Sequence, residues 1–220
     1  MTGKWGVIVT DIQGDFTEWK KGSLAVAGSD ETYVRKVEEA TRRLKELGLP
    51  IFGTQDWHPP NHVSFYASHP GKKPLDTIEI RGRTQVLWPP HCVQGTENAR
   101  ILIDNNLFLA VVRKAQDPAL ESYSAFKDEV GHKTEMETVL RINRIDRLII
   151  YGIATDYCVK ATALDGRAAG YGVTVVEDLC RGVSADTTAA ALAEMREKGV
   201  KVTPFLDEIL REIMASLPTA

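Results

Sequence analysis

Residues 147–177 read RLIIYGIATDYCVKATALDGRAAGYGVTVVE. Arg147–Gly152 (RLIIYG) is a short apolar run of strand length, Asp156–Gly170 reads as a helix, and Val173–Glu177 (VTVVE) is a second apolar run. Downstream come an Ala-rich helix at Ala185–Lys198, a last strand at Val200–Thr203 and a helix at Leu206–Ser216. Upstream, Thr134–Asn143 reads as a short helix and Leu107–Arg113 (LFLAVVR) as a strand. Further back, Pro50–Gln55 (PIFGTQ) is a strand. Before it runs a helix that Ser29 is placed to cap and that reaches Leu47. Val34, Val37, Thr41, Leu44 and Leu47 fall at its three- and four-residue spacings, and Gly48 stops it. Lys4–Thr10 (KWGVIVT) is the first strand. Six apolar strands alternating with helices predict an α/β fold: a three-layer αβα sandwich around a six-stranded, mostly parallel sheet of Rossmann-like topology. Between Asp56 and Asn106 the chain is irregular and rich in Pro, His and Gly, and loops of that length are usually functional.

The 220 residues suffice for one core, so the expectation is a single domain over residues 1–220 that folds without disulfides or a structural metal. Hydrophobic residues make up 43% and charged residues 26%, which excludes disordered, collagenous and disulfide-scaffold classes. The formal net charge of −3 offers no basic excess for nucleic acid or an anionic membrane. The start, MTGKWGVIVTDIQ, lacks a signal peptide's apolar stretch, and no apolar run is long enough to span a bilayer. Three cysteines at irregular spacing point to a reducing compartment, so the expected location is cytoplasmic.

Open parallel sheets place their chemistry beyond the carboxyl ends of the strands. That rule selects Asp11, the segment Asp56–His62, Lys114 and the segment Ile153–Cys158. Cys158 opens a helix for which Asp156 is a natural N-cap, and the helix dipole is expected to lower its thiol pKa. The plainer reading is a buried small hydrophobe. Lys114 favours a thiolate by charge, or is simply a strand-end lysine. Asp11 is placed to take a thiol proton, or is a turn residue. Convergence favours the chemical reading, because three separate strands each end on one member of an Asp–Lys–Cys set.

A second constellation is Asp56-Trp57-His58-Pro59-Pro60-Asn61-His62. Asp56 and His58, two apart on an extended segment, point to one side. With His62 and His91 they place three of the five histidines in the long loop region. Carboxylate plus imidazole suits Zn, Fe or Mn, and a site with few protein ligands is catalytic rather than structural. His69 and His132 read as surface residues, Cys92 and Cys180 as structural. No phosphate-cradling glycine motif is present, so no bound nucleotide is expected.

Taken in order, Asp11-Ile12-Gln13-Gly14-Asp15-Phe16, Gly22-Ser23-Leu24, DWHPPNHVSF (56–65), WPPHCVQGT (88–96), Lys114, SYSAF (122–126), GIATDYCVKATALD (152–165) and GVSADTT (182–188) form a pattern. Through them the chain resembles the nicotinamidase/pyrazinamidase branch of the isochorismatase-like cysteine hydrolases, from about Val7 to about Val202. The resemblance implies a catalytic triad of Asp11, Lys114 and Cys158. It implies one divalent metal ion on Asp56, His58 and His91, with zinc first and iron or manganese as alternatives. His62 falls at a position that is a ligand in some relatives and nearer the substrate in others. A cis peptide at Ile153–Ala154 is implied, aiming the N–H groups of Ala154 and Cys158 at one point as an oxyanion hole. Phe16, Leu24, Trp88, Tyr123 and Tyr157 match the wall of an aromatic pocket. The chain departs from the branch in carrying Glu121, where relatives often have Asp before SYSAF. The implied activity is hydrolysis of nicotinamide to nicotinate and ammonia in NAD salvage through a cysteine thioester, with pyrazinamide as a further substrate. The implied partner is a small-molecule substrate, with room for a homo-oligomer. The alternative is a metal-free cysteine amidohydrolase for another small amide.

Overall fold

The computed structural model describes residues 3–216. In chain order its regular elements are β1 (Trp5–Thr10), α1 (Glu31–Glu46), β2 (Ile51–Asp56), β3 (Thr77–Ile80), β4 (Arg83–Val86) and β5 (Ala110–Lys114). They continue through α2 (Met136–Ile142), β6 (Arg147–Ile153), α3 (Lys160–Ala168), β7 (Gly172–Arg181), α4 (Ala185–Glu197), β8 (Lys201–Thr203) and α5 (Leu206–Ser216). Six strands form one parallel sheet in the order β5-β2-β1-β6-β7-β8. Every residue of β1 and β2 is buried, as expected of central strands covered on both faces. Helices α1 and α5 lie together on one face, joined by an Arg43–Asp207 ion pair at 2.9 Å. On the other, α3 and α4 pack together and Lys160 reaches Glu194 at 3.3 Å. No helix among the described residues is long and apolar enough to cross a membrane.

Helix α1 follows its sequence signal closely. Tyr33, Val34, Val37, Thr41 and Leu44 are buried at helical spacing. Its cap is Asp30 rather than Ser29: the Asp30 carboxylate accepts from Tyr33 N at 2.8 Å, an interaction worth about 1 kcal/mol. Ser29 sits one residue outside and binds Glu18 N and Phe16 O instead. Thr41 meets the Tyr151 hydroxyl at 2.8 Å, so the polar atoms between α1 and β6 are satisfied.

Three further expectations are corrected. The strand read at Leu107–Arg113 starts at Ala110, because Asp104 caps a tight turn over Asn105–Leu107 by accepting from Asn106 N. The strand read as ending at Glu177 runs to Arg181, because the register shifts after Ile150 and Gly152 then pairs with Cys180. The stretch read as irregular contains the antiparallel hairpin β3–β4. TIEI alternates Ile78 and Ile80 with Thr77 and Glu79, a short strand signal, whereas RTQV has a single apolar residue and is exposed at Arg83 and Thr84.

The chain runs from β1 outward through β2 to β5, then returns to β6 and runs outward through β7 to β8. The order therefore reverses between β1 and β6, and a cleft opens beyond their carboxyl ends. Gly152 shapes that point. Its φ is +133°, and a Cβ there would lie 2.0 Å from the Thr10 carbonyl oxygen on β1. Gly48, at φ +81°, has nothing within 4 Å of such a Cβ. Gly152→Ala is therefore expected to cost at least about 3 kcal/mol, the upper end of overpacking penalties. Gly48→Ala should cost only the left-handed backbone penalty of about 1–2 kcal/mol. Urea unfolding of both variants checks this ordering.

Candidate active site

Four strand ends meet at the reversal point. Asp56 and Lys114 are Cα partners across β2 and β5, and Thr10 pairs with Gly152 across β1 and β6. Asp11 follows β1 at φ +47°, a region that Asp tolerates better than most residues. Thr54 on β2 donates to its Oδ1 at 2.7 Å and accepts from its N–H at 3.2 Å. Lys114 is fully enclosed, with Nζ 2.9 Å from Asp11 Oδ2 and 3.4 Å from Cys158 Sγ. The same ammonium donates to the Ser122 carbonyl at 3.1 Å and to Asp56 Oδ1. Acceptor atoms of Asp11, Asp56 and Cys158 all lie within 4.8 Å of one another.

Cys158 lies inside a π-turn, Thr155–Val159, that precedes α3. The Ile153–Ala154 peptide before it is cis. Asp156 is not the N-cap the sequence suggests. Its carboxylate leaves its own helix, accepting from Val183 N at 3.0 Å and from the Thr187 hydroxyl at the start of α4. The expected lowering of the Cys158 pKa is also corrected. Burial raises it well above the ordinary thiol range; Lys114 opposes this, but Asp11 and Asp56 add to it. Burial also raises Asp11 to about 6 against the pull of Lys114. Lys114 is driven up, since its two carboxylates outweigh desolvation.

Beside this cluster, donor atoms of Asp56, His58 and His91 lie within 4.8 Å of one another. The fit to a cation is visible in the hydrogen bonding. His58 is fully buried, yet neither ring nitrogen has a hydrogen-bond partner among the described residues. Its Nε2 stands 3.6 Å from Asp56 Oδ2, beyond hydrogen-bond reach. His91 Nδ1 binds the Pro89 carbonyl at 2.7 Å, an arrangement that leaves Nε2 with the lone pair. Burial lowers the His91 pKa to about 4, so its ring is neutral at pH 7 as a ligand must be. His62 is differently placed. Its ring nitrogens are engaged by Ser64 Oγ at 2.8 Å and the Leu120 carbonyl at 3.0 Å. It groups instead with His58 and the buried Glu121. Phe65 packs against all three imidazoles at 5.3–5.6 Å.

One small apolar cavity joins both sets. It is lined by Cys158, Ala154, Asp56 and His91, by the expected Phe16, Leu24, Trp88, Tyr123 and Tyr157, and by Val26 and Val183. His62 does not reach it. Trp88 Nε1 donates to the Tyr123 hydroxyl at 3.1 Å, and Trp88 meets Tyr157 edge-on at 5.0 Å, so the aromatic wall is internally braced. A larger groove opens at the outer edge of β5 around Trp57, Arg100 and Arg113, but none of Asp11, Lys114 and Cys158 lines it.

Residues of the Asp11–Phe16 motif support the site from behind. Gln13 clamps β2 by donating to the Asp56 carbonyl and accepting from Asp56 N, both at 2.8 Å. Asp15 accepts from Cys92 N at 2.7 Å and from Ser23 Oγ at 3.3 Å, tying the loop of Leu24 to the loop of His91. Gln13 and Asp15 lie three and five residues past the end of β1, and nothing local marks their distant partners. Cys92 and Cys180 are buried, as read, with pKa values raised by burial.

Comparison with known proteins agrees with this geometry. Residues 6–205 match the family model described as "Isochorismatase domain". The Escherichia coli protein named nicotinamidase is 39% identical, the alignment covering 91% of this chain and 95% of that protein. A solved Acinetobacter baumannii structure, titled as a nicotinamidase and pyrazinamidase, superposes at a TM-score of 0.85 with 34% identity, covering 94% of this chain and 98% of that one. The Pyrococcus horikoshii pyrazinamidase, solved in complex with zinc, superposes at 0.77 with 35% identity, covering 92% and 99%. The chain therefore belongs to the isochorismatase family, on its nicotinamidase/pyrazinamidase branch.

Proposed function

We propose that the chain hydrolyses nicotinamide to nicotinate and ammonia, and pyrazinamide likewise, through a thioester on Cys158. The observation that carries this reading is a single apolar cavity bounded by Cys158 on one side and by Asp56 and His91 on another. A metal-free amidohydrolase would have no use for the second set, so that alternative is not favoured. The sheet running from Trp5 to Thr203 supports a single catalytic domain over the whole chain. Three free cysteines support a reducing, cytoplasmic setting, and nicotinate as product supports a place in pyridine-nucleotide salvage.

The proton bookkeeping follows from the pKa order. Asp11 is largely a carboxylate at pH 7 and Cys158 is a thiol, so Asp11 takes the thiol proton as Sγ bonds to the carboxamide carbon. Lys114 Nζ, in reach of both Asp11 and Sγ, steadies the sulfur's charge as it develops. The N–H groups of Ala154 and Cys158 receive the oxyanion. Asp11 returns its proton to the amide nitrogen, the C–N bond breaks and ammonia leaves. Water then gives its proton to Asp11 and attacks the thioester; the C–S bond breaks and the thiol is restored. Asp56, His58 and His91 are proposed to hold one divalent cation, zinc first, which when bound supplies a Lewis-acid contact for the ring nitrogen. Phe16, Leu24, Trp88 and the two tyrosines hold the flat ring and exclude water; His62 braces the loop behind His58.

Three outcomes test this. Cys158→Ala should lower kcat for nicotinamide on the order of 10⁴-fold, measured by ammonia release, while Cys92→Ala and Cys180→Ala stay within about threefold of the parent. Retained turnover in Cys158→Ala would remove the nucleophile. The pH profile has a defined sign: the base works as a carboxylate, so kcat/KM should be level above about pH 6 and fall about tenfold per unit below it as Asp11 takes a proton. Asp11→Asn should abolish activity at every pH. His58→Ala should lose the bound metal, read by elemental analysis, and raise KM far more than it changes the alkylation rate of Cys158. Full metal content in that variant would refute the ligand set.

A further inference from the structure

Val183 is the one exposed residue, at 36%, among those that line the catalytic cavity, so it marks the mouth. It belongs to the segment after β7, and its position is fastened from inside the site. Asp156, buried within the turn that carries Cys158, accepts from Val183 N at 3.0 Å with Oδ1 and from the Thr187 hydroxyl with Oδ2. Thr187 N in turn binds the Ser184 hydroxyl that caps α4. Gly182 permits the close approach, since a Cβ there would lie 1.8 Å from Thr188 Oγ1 and 3.3 Å from Asp156 Oδ1. One carboxylate thus sets the spacing between the sulfur-bearing turn and the mouth.

We propose that Val183 is a specificity-determining residue that limits the size of molecule reaching Cys158, and that Asp156 is its positioning residue. The inference rests on the nicotinamidase reading for its choice of substrates, but not for its geometry. An apolar side chain at the rim admits a flat, unsubstituted pyridine or pyrazine carboxamide and hinders one carrying a ring alkyl group. One methyl group against a hydrophobic wall discriminates by roughly tenfold or more. Asp156 touches no reacting atom. It acts by holding Val183, and through it the width of the opening.

The test uses Val183→Ala, Val183→Phe, Asp156→Ala and Asp156→Asn in the full chain. The first readout is independent of substrate: the ratio of Cys158 alkylation rates for a bulky maleimide and for iodoacetamide, followed by mass spectrometry of the Cys158 peptide. Val183→Ala should raise that ratio about tenfold and Val183→Phe should lower it. Asp156→Ala, which releases the rim, should raise it, while Asp156→Asn, which keeps an acceptor for Val183 N, should restore it. The second readout is kcat/KM for ring-methylated nicotinamides relative to nicotinamide, which should move in the same directions. An alkylation ratio unmoved by both Val183 variants overturns the proposal. Failure of the parent protein to release ammonia from nicotinamide would instead overturn the substrate reading, with the alkylation ratio still deciding the role of Val183.

Discussion

A single buried cation holds this site together. The Lys114 ammonium has no contact with solvent, and it survives there because two carboxylates, a carbonyl and a thiol converge on it. Removing one partner from a buried ion pair costs about 3–5 kcal/mol, because the remaining charge stays desolvated. The convergence demands that β1, β2 and β5 end at one level and that β6 deliver its turn to the same point. The sheet order β5-β2-β1-β6 does so: Asp11 and Asp56 come from the strands between Lys114 and Cys158. Strand order and ionic cluster are thus one constraint seen at two scales.

The same burial sets the chemistry. A helix-dipole argument favours a preformed thiolate, but the surroundings decide otherwise. Two carboxylates and full desolvation raise Cys158, and the ammonium does not overcome them. A thiol raised by burial beside a carboxylate of pKa about 6 is the pair on which the proposed proton transfer rests. In the proposed reaction, charge on the sulfur develops beside Lys114, whose Nζ lies 3.4 Å away.

Much of this was legible in the sequence, for a physical reason. Central parallel strands are buried on both faces and so appear as unbroken apolar runs, and the first polar residue after each run falls at the cleft. Asp11 is found that way, Lys114 as the polar end of the edge-strand run, Cys158 by its place at the opening of the helix after RLIIYG, and Asp56 and His58 by their spacing. The rest depends on contacts between segments far apart in the chain. Asp156 looks like a cap because it precedes a helix, yet its partners lie 27 and 31 residues away. Asp15 and Gln13 bind backbone groups 77 and 43 residues away, which no local pattern predicts. The β3–β4 hairpin is faint because each strand is four residues long and RTQV carries no alternation, though TIEI does. Val183 is hidden because an isolated valine after a strand has no feature of its own.

Asp56 is where the two halves of the site become inseparable. Burial pushes its carboxyl up, but Lys114 and the two imidazoles outweigh this and hold it well below the ordinary carboxylate range. Its Oδ1 serves Lys114 while its Oδ2 faces His58. One residue thus neutralises the cation beside the thiol and supplies the carboxylate of the Asp56–His58–His91 set. A change at Asp56 cannot be read as a loss of metal alone, because it also leaves Lys114 with Asp11 as its one remaining anion. Asp11 would then pair more tightly with Lys114 and become a weaker base. Among the described residues His58 and His91 make no hydrogen bond or ion pair with Lys114, so under the proposed mechanism they are the positions at which binding of the ring can be separated from activation of the sulfur.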